Sequence, residues 1–189
     1  MEFLIDDGKP VEYTGNGGDA VIPAGVTEIG DWAFFDRTDL TSVTIPDGVE
    51  EIGRGAFAGC NRLKSVTIPN SIIEICDGAF ENCIGLTNVT FPAQVFIIGA
   101  RAFAGCTALK NIEIVEISAE GYHTICCDVI IQDAAFSGCK NLESVTIPAC
   151  VRIEGVDAFD GCTNLVLKVH AGSRAERCAR ENGIKYVCV

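Results

Sequence analysis

The chain has 189 residues, 48% of them hydrophobic, which is enough for a domain with a sizeable core and too apolar for a disordered segment. Lys and Arg number 14 against 26 Asp and Glu, a net charge of −12, so the attraction to phosphate that drives nucleic-acid binding is missing and no nucleic-acid partner is expected. No run of about 18 uncharged apolar residues occurs, which excludes a membrane-inserted helix.

In chain order, residues 1–19, MEFLIDDGKPVEYTGNGGD, read as a strand, a DDGK turn, a second strand and a Gly-rich connection, the pattern of an N-terminal cap hairpin. They contain no basic segment followed by an apolar run of signal-peptide length. The chain as written is therefore expected in the cytoplasm, and at the cell surface or outside the cell if a leader precedes Met1. The 11 cysteines are odd in number and the chain is not short, so reduced thiols are expected rather than a disulfide scaffold.

From residue 20 to 166 the sequence repeats itself. Phenylalanine recurs at Phe34, Phe57, Phe80, Phe103, Phe136 and Phe159, in steps of 23, 23, 23, 33 and 23, the long step being one period with ten residues inserted. Three residues after each Phe stand Cys60, Cys83, Cys106, Cys139 and Cys162, with Arg37 in that place in the first unit. Six residues after it stand Leu40, Leu63, Leu86, Leu109, Leu142 and Leu165. Twelve before it stand Ile22, Ile45, Ile68, Phe91 and Ile147, each followed by Pro, while the inserted unit has Val115 in the proline place.

The unit LKSVTIPNSIIEICDGAFENC has a physical reading. In SVTI, Val66 and Ile68 alternate with Ser65 and Thr67, the period of a half-buried strand, and Pro69 ends it because it has no ladder donor. A second apolar pair follows, Val49 and Ile52 in another unit, then usually a turn glycine such as Gly30, Gly53 or Gly99. GAFAGC is too short for a full helix and suits a helical or 3-10 turn that plants Phe inward. A unit this small cannot bury Val, Ile, Phe and Leu alone, so units must stack, strand beside parallel strand.

The unit length and the LxxVxIP segment match leucine-rich repeats. SVTIPDGVEEIGRGAFAGCNRLK in particular resembles the BspA-like leucine-rich repeats of bacteria and some protozoan parasites, over residues 20–166. The resemblance implies a leucine-rich-repeat right-handed solenoid with short parallel strands on one face, short helical or 3-10 turns on the other, and caps at both ends. It also implies relatives that often serve as surface or adhesive proteins in host-associated microbes.

Near residues 115–128, within VEISAEGYHTICCDVI, the period breaks, and a bulge from the solenoid is expected. It is either a tolerated surface loop or a partner contact through Tyr122 and His123. Residues 167–189 read as strand LKVH, helix SRAERCARENG and strand IKYVCV, a C-terminal cap in which Ser173 starts the helix, Ala175, Cys178 and Ala179 share a face, and Gly183 marks the stop.

Catalytic chemistry finds little to work with. His123 and His170 are the only histidines, and no dinucleotide fingerprint, phosphate-binding GxxxxGK[ST] or HExxH motif occurs. A noncatalytic protein without cofactor is expected. There is no CxxC either, and the best metal or disulfide candidate is the group Cys126, Cys127 and Cys150, with Cys127 and Cys150 in one column of adjacent coils. Those two thiols are free, bonded or metal-bound on sequence grounds.

For Cys60, Cys83, Cys106, Cys139 and Cys162, stacking in one column about 4.8 Å apart with parallel side chains suits a buried thiol better than a disulfide. Phe57, Phe80, Phe103, Phe136 and Phe159 share that structural role. A Cys106→Ser change is expected to cost about 1–3 kcal/mol by burying a hydroxyl.

The outward strand positions are Ser42 and Thr44, Ser65 and Thr67, Asn88 and Thr90, Asn111 and Glu113, and Ser144 and Thr146, a flat and mostly uncharged sheet. The expected function is noncatalytic binding or scaffolding of a protein partner by a monomer, through this face and the 116–125 loop. The alternatives are a cell-surface adhesin for host matrix protein, and a metal protein or enzyme using Cys126, Cys127 and Cys150.

Overall fold

A computed structural model of the chain describes residues 3–6, 9–92, 94–114, 129–155 and 157–189, with the backbone alone for 3–6 and 9–12. The strands are β1 (Phe3–Asp6), β2 (Lys9–Tyr13), β3 (Gly18–Val21), β4 (Glu28–Ile29), β5 (Leu40–Thr44), β6 (Glu51–Ile52), β7 (Ser65–Thr67) and β8 (Glu74–Ile75). There follow β9 (Asn88–Phe91), β10 (Ile97–Ile98), β11 (Asn111–Ile114), β12 (Ile130–Ile131), β13 (Ser144–Ile147), β14 (Arg152–Ile153) and β15 (Val166–Val169). The helix α1 (Arg174–Glu181) and β16 (Lys185–Cys188) complete the order.

The period-2 segments stack into an eight-stranded sheet in the order β16-β15-β13-β11-β9-β7-β5-β3, with every neighbouring pair parallel. The second apolar pairs form a ladder of two-residue strands, β14-β12-β10-β8-β6-β4, also parallel. The chain is thus a solenoid of stacked parallel strands, as the repeat requires. Inward side chains of both ladders, among them Val43, Val66, Val89, Ile52, Ile75 and Ile98, are buried in one continuous core.

GAFAGC forms the third side of each coil. The N–H groups of Ala56, Ala58 and Cys60 donate to the carbonyls of Gly53, Gly55 and Phe57 at 3.2, 2.9 and 3.1 Å, the i→i+3 spacing of 3-10 turns. The intervening N–H groups of Gly55, Phe57 and Gly59 donate instead to Asp77, Ala79 and Glu81 of the next coil, at 3.0, 2.7 and 2.8 Å. Half of the donors therefore close the turn and half bind coil to coil, so every N–H from Gly55 to Cys60 is met. Left-handed φ stands two residues before and two after Phe57, where Gly55 and Gly59 supply it at 59° and 77°, and at the matching places of other coils Ala134 and Asn82 adopt it at 53° and 59°.

The phenylalanines stack face to face down the axis. Centroids lie 4.7 Å apart for Phe34 and Phe57, 5.0 Å for Phe57 and Phe80, and 5.0 Å for Phe80 and Phe103. The pair Phe103 and Phe136 spans the long step at 5.5 Å, the same distance as Phe136 to Phe159 within the ordinary period. The column is therefore unbroken across the long step, whose extra residues fall in sequence between β11 and β12.

At the N-terminal end β1 and β2 pair antiparallel, and the Tyr13 ring stacks on Phe34 at 5.1 Å. At the other end β15, α1 and β16 make a strand-helix-strand unit with β16 parallel to β15. Ser173 caps α1 by accepting from the Glu176 N–H, and Ala175 and Ala179 turn inward while Cys178 is half-buried.

Candidate functional site

Pleating sets the strand face. With Val43, Val66, Val89, Ile112 and Val145 pinned in the core, their neighbours must point out, and parallel register lines those neighbours up. Ser42 pairs with Ser65, Ser65 with Asn88, Asn88 with Asn111, and Asn111 with Ser144. A second column runs from Thr44 to Thr67, and from Thr90 through Glu113 to Thr146 and Lys168. Ser65, Thr67, Asn88, Thr90, Asn111 and Glu113 are exposed, while Ser144 and Thr146 are half-buried.

The face is wired locally. Ser144 donates to Asn111 Oδ1 at 2.9 Å, and at the first coil Ser42 and Thr41 both donate to one Asp19 oxygen at 2.7 and 3.0 Å. Those two donors hold the Asp19 carboxyl below its ordinary pKa. The face thus offers short hydroxyls and amides at strand spacing, with Lys64 and Lys110 exposed beside it. This chemistry supports hydrogen bonding to a polar surface.

The repeated cysteines carry a bond that their spacing did not disclose. Each thiol donates to the carbonyl of the Phe one coil back: Cys60 to Phe34, Cys83 to Phe57, Cys106 to Phe80 and Cys162 to Phe136 at 3.1 Å, and Cys139 to Phe103 at 3.2 Å. None of the five is in a disulfide. Burial pushes the Cys60 and Cys106 thiols up to about 12 and Cys83 well above its ordinary value. The Cys162 thiol beside it, together with burial, raises Cys139, and the hydrogen bond from Cys139 lowers half-buried Cys162. Outside the column, Cys76 donates to Glu51 at 3.3 Å, and burial with that neighbouring carboxylate raises it too, which is the reverse of a nucleophile.

Arg37, the exception of the first unit, does the work of the missing cysteine. Its guanidinium donates to the Tyr13 carbonyl at 2.8 Å and to the Gly15 carbonyl, sits 4.9 Å above the Tyr13 ring and pairs with Asp39 at 3.1 Å. Tyr13 takes the place of a Phe, so the aromatic column begins one step before the recognisable repeat. The sequence hid this because Tyr13 lies 21 residues before Phe34, off the period of 23.

Tyr122, His123, Cys126 and Cys127 lie outside the described residues. Cys150 is half-buried against the core. Among the described residues no group of three His, Cys, Asp or Glu is arranged to hold a metal ion, and no helix is long and apolar enough to cross a membrane.

Ladders, turn bonds and aromatic column together define a leucine-rich repeat solenoid. The chain belongs to the BspA type leucine rich repeat family, whose model matches six copies over residues 13–124 and 129–174. Among solved structures it is similar to the leucine-rich repeat protein TpLRR of T. pallidum, with 28% identity over 95% of this chain and 89% of that one, at a TM-score of 0.74. A leucine-rich repeat protein of Bacteroides ovatus is 27% identical at a TM-score of 0.76, over 95% of this chain and 44% of that one. The pneumococcal vaccine antigen PcpA shares the fold at 18% identity and a TM-score of 0.77, over 99% of this chain and 45% of that one. The chain spans less than half of the latter two. No curated protein matches it. The family carries a protein-interaction or scaffold role, on a solenoid class that is typically non-catalytic.

Proposed function

We propose that the protein binds another protein through the strand face, along the columns Ser65, Asn88, Asn111, Ser144 and Thr67, Thr90, Glu113, Thr146, with the 116–125 segment, including Tyr122 and His123, as a second contact. The observation that carries the reading is the register of the face. Five coils present small hydrogen-bonding side chains in line, on a rigid sheet whose other side is fixed by the core. A rigid array of this kind loses little entropy on binding, and protein contact suits it better than glycan stacking because no aromatic side chain stands in the columns.

The test is affinity capture with three baits: wild type, a face variant Asn88→Arg with Asn111→Arg, and a chain lacking residues 116–125. All three baits must first give the same thermal transition within a few degrees. The expected result is a partner retained by wild type and lost by the face variant, with weakened retention when 116–125 is missing. A partner set unchanged by the face variant would overturn the reading.

A further inference from the structure

The eight-stranded sheet has two end strands, β3 and β16, each paired on one side among the described residues. An unpaired edge on a long parallel sheet is a template for another strand, and proteins usually blunt it with charge, proline or a bulge. Here the two edges differ from the interior of the sheet and match one another. In the first outward column Asp19 stands at the β3 end and Lys185 at the β16 end, with Ser, Asn and Val between. In the second column the ends are Val21 and Val187, where interior coils carry Thr, Glu or Lys. Val21 is 63% exposed and Val187 47%, values out of keeping with edges meant to face water.

Net charge repeats the asymmetry over whole ends. Residues 1–39 hold nine Asp and Glu against two Lys and Arg, while residues 168–189 hold five Lys and Arg against two Glu. An acidic head and a basic tail on an otherwise acidic chain attract each other between molecules. The tail also holds a cavity of about 450 Å³ beside Lys185, lined by Phe159, Leu165 and Ile184 together with the polar side chains of Asp157, Asp160 and Asn182.

We infer that copies of this chain associate head to tail, β16 of one molecule pairing in parallel with β3 of the next. Continuing the register used inside the chain sets Lys185 against Asp19 and Val187 against Val21. The occupant of each edge is therefore a second copy. The contact is heterologous, so it propagates into a row unless the rotation between copies closes a ring. In such a row the strand faces of successive molecules join into one longer surface.

The experiment is sedimentation velocity on the full chain, reduced, from about 5 to 200 µM at 20 and 500 mM NaCl. Wild type is expected to form concentration-dependent oligomers that weaken at least tenfold in the higher salt. Asp19→Lys and Lys185→Glu should each abolish association, since each variant sets like charges against one another where position 19 of one molecule meets position 185 of the next. Mixing the two variants should restore it, because in an alternating row positions 19 and 185 carry opposite charges at every contact.

A Val187→Asp variant gives an independent check that leaves the ion pair in place and is expected to stay monomeric. Thermal melts of each variant identify loss of fold, which would exclude that variant from the comparison. Wild type remaining monomeric at 200 µM and low salt would overturn the proposal. So would association that Lys185→Glu removes and Asp19→Lys leaves intact, the signature of tail-to-tail pairing. The capture experiment on the strand face is repeated with its three baits carrying Lys185→Glu as well, so failure there and failure here are distinguishable.

Discussion

The thiol of Cys106 donates to the Phe80 carbonyl at 3.1 Å within a fully buried site, so a hydroxyl in its place also finds an acceptor. Cys106→Ser should then cost about 1 kcal/mol in urea unfolding, at the low end of the penalty for burying an unpartnered hydroxyl. The column also sets a pH dependence. A thiol in the unfolded chain ionises near 9, whereas folded Cys60 and Cys106 hold their protons to about 12. Their stabilisation is complete below pH 9 and is lost as pH rises toward 12, because the unfolded state sheds protons first. Each contributes a slope of about 1.4 kcal/mol per pH unit in that window. Urea titrations of the reduced protein between pH 8 and 11 should show wild type losing stability more steeply than Cys106→Ser by that amount. Equal slopes would mean that Cys106 is not held protonated. At the first coil, Arg37→Ala removes the donors to the Tyr13 and Gly15 carbonyls. It should lower stability by about 1–2 kcal/mol, a value reduced by the partial exposure of the site, and speed proteolysis within β1 and β2.

The turn segment shows how one element can be legible and yet hold something the sequence withholds. Its inward Phe and its short turn follow from GAFAGC, whose small residues admit no other large side chain. The alternation between bonds within the turn and bonds to the next coil does not follow, because it depends on a neighbour 22 residues away: Phe57 to Ala79, Phe80 to Ala102. For the same reason a left-handed Asn82 or Ala134 is invisible in a string of letters. The aromatic stack predicts that Phe103→Ala, which empties a fully buried position between two stacked rings, costs about 3–5 kcal/mol. Thermal unfolding monitored by calorimetry checks this. A loss below 1 kcal/mol would mean that the column repacks.

Across the whole molecule, the period of 23 dictated the stacking, and the strand alternation dictated which residues look outward. Ser65, Thr67, Asn88 and Thr90 stand where that alternation places them. What lay beyond sequence reading belongs to the ends. Tyr13 falls off the period, and the kinship between Val21 and Val187 emerges only when β3 and β16 are seen to be the two limits of one sheet. The long step leads to a further expectation at this scale. Replacing residues 116–125 with a Gly/Ser segment of about twice the length should lower stability by only about 0.5 kcal/mol, the entropic cost of lengthening the link between Ile114 and Val129. A collapse of the thermal transition would instead assign the native segment a part in holding the core.

Because Phe103 and Phe136 meet at the spacing of ordinary neighbours, the distance between coils is set by side-chain fit and not by the contour length of the chain joining them. The sequence between Ile114 and Val129 is accordingly a splice point. A reporter domain with closely spaced termini could be carried there like a flag on a mast, leaving the strands above and below in register.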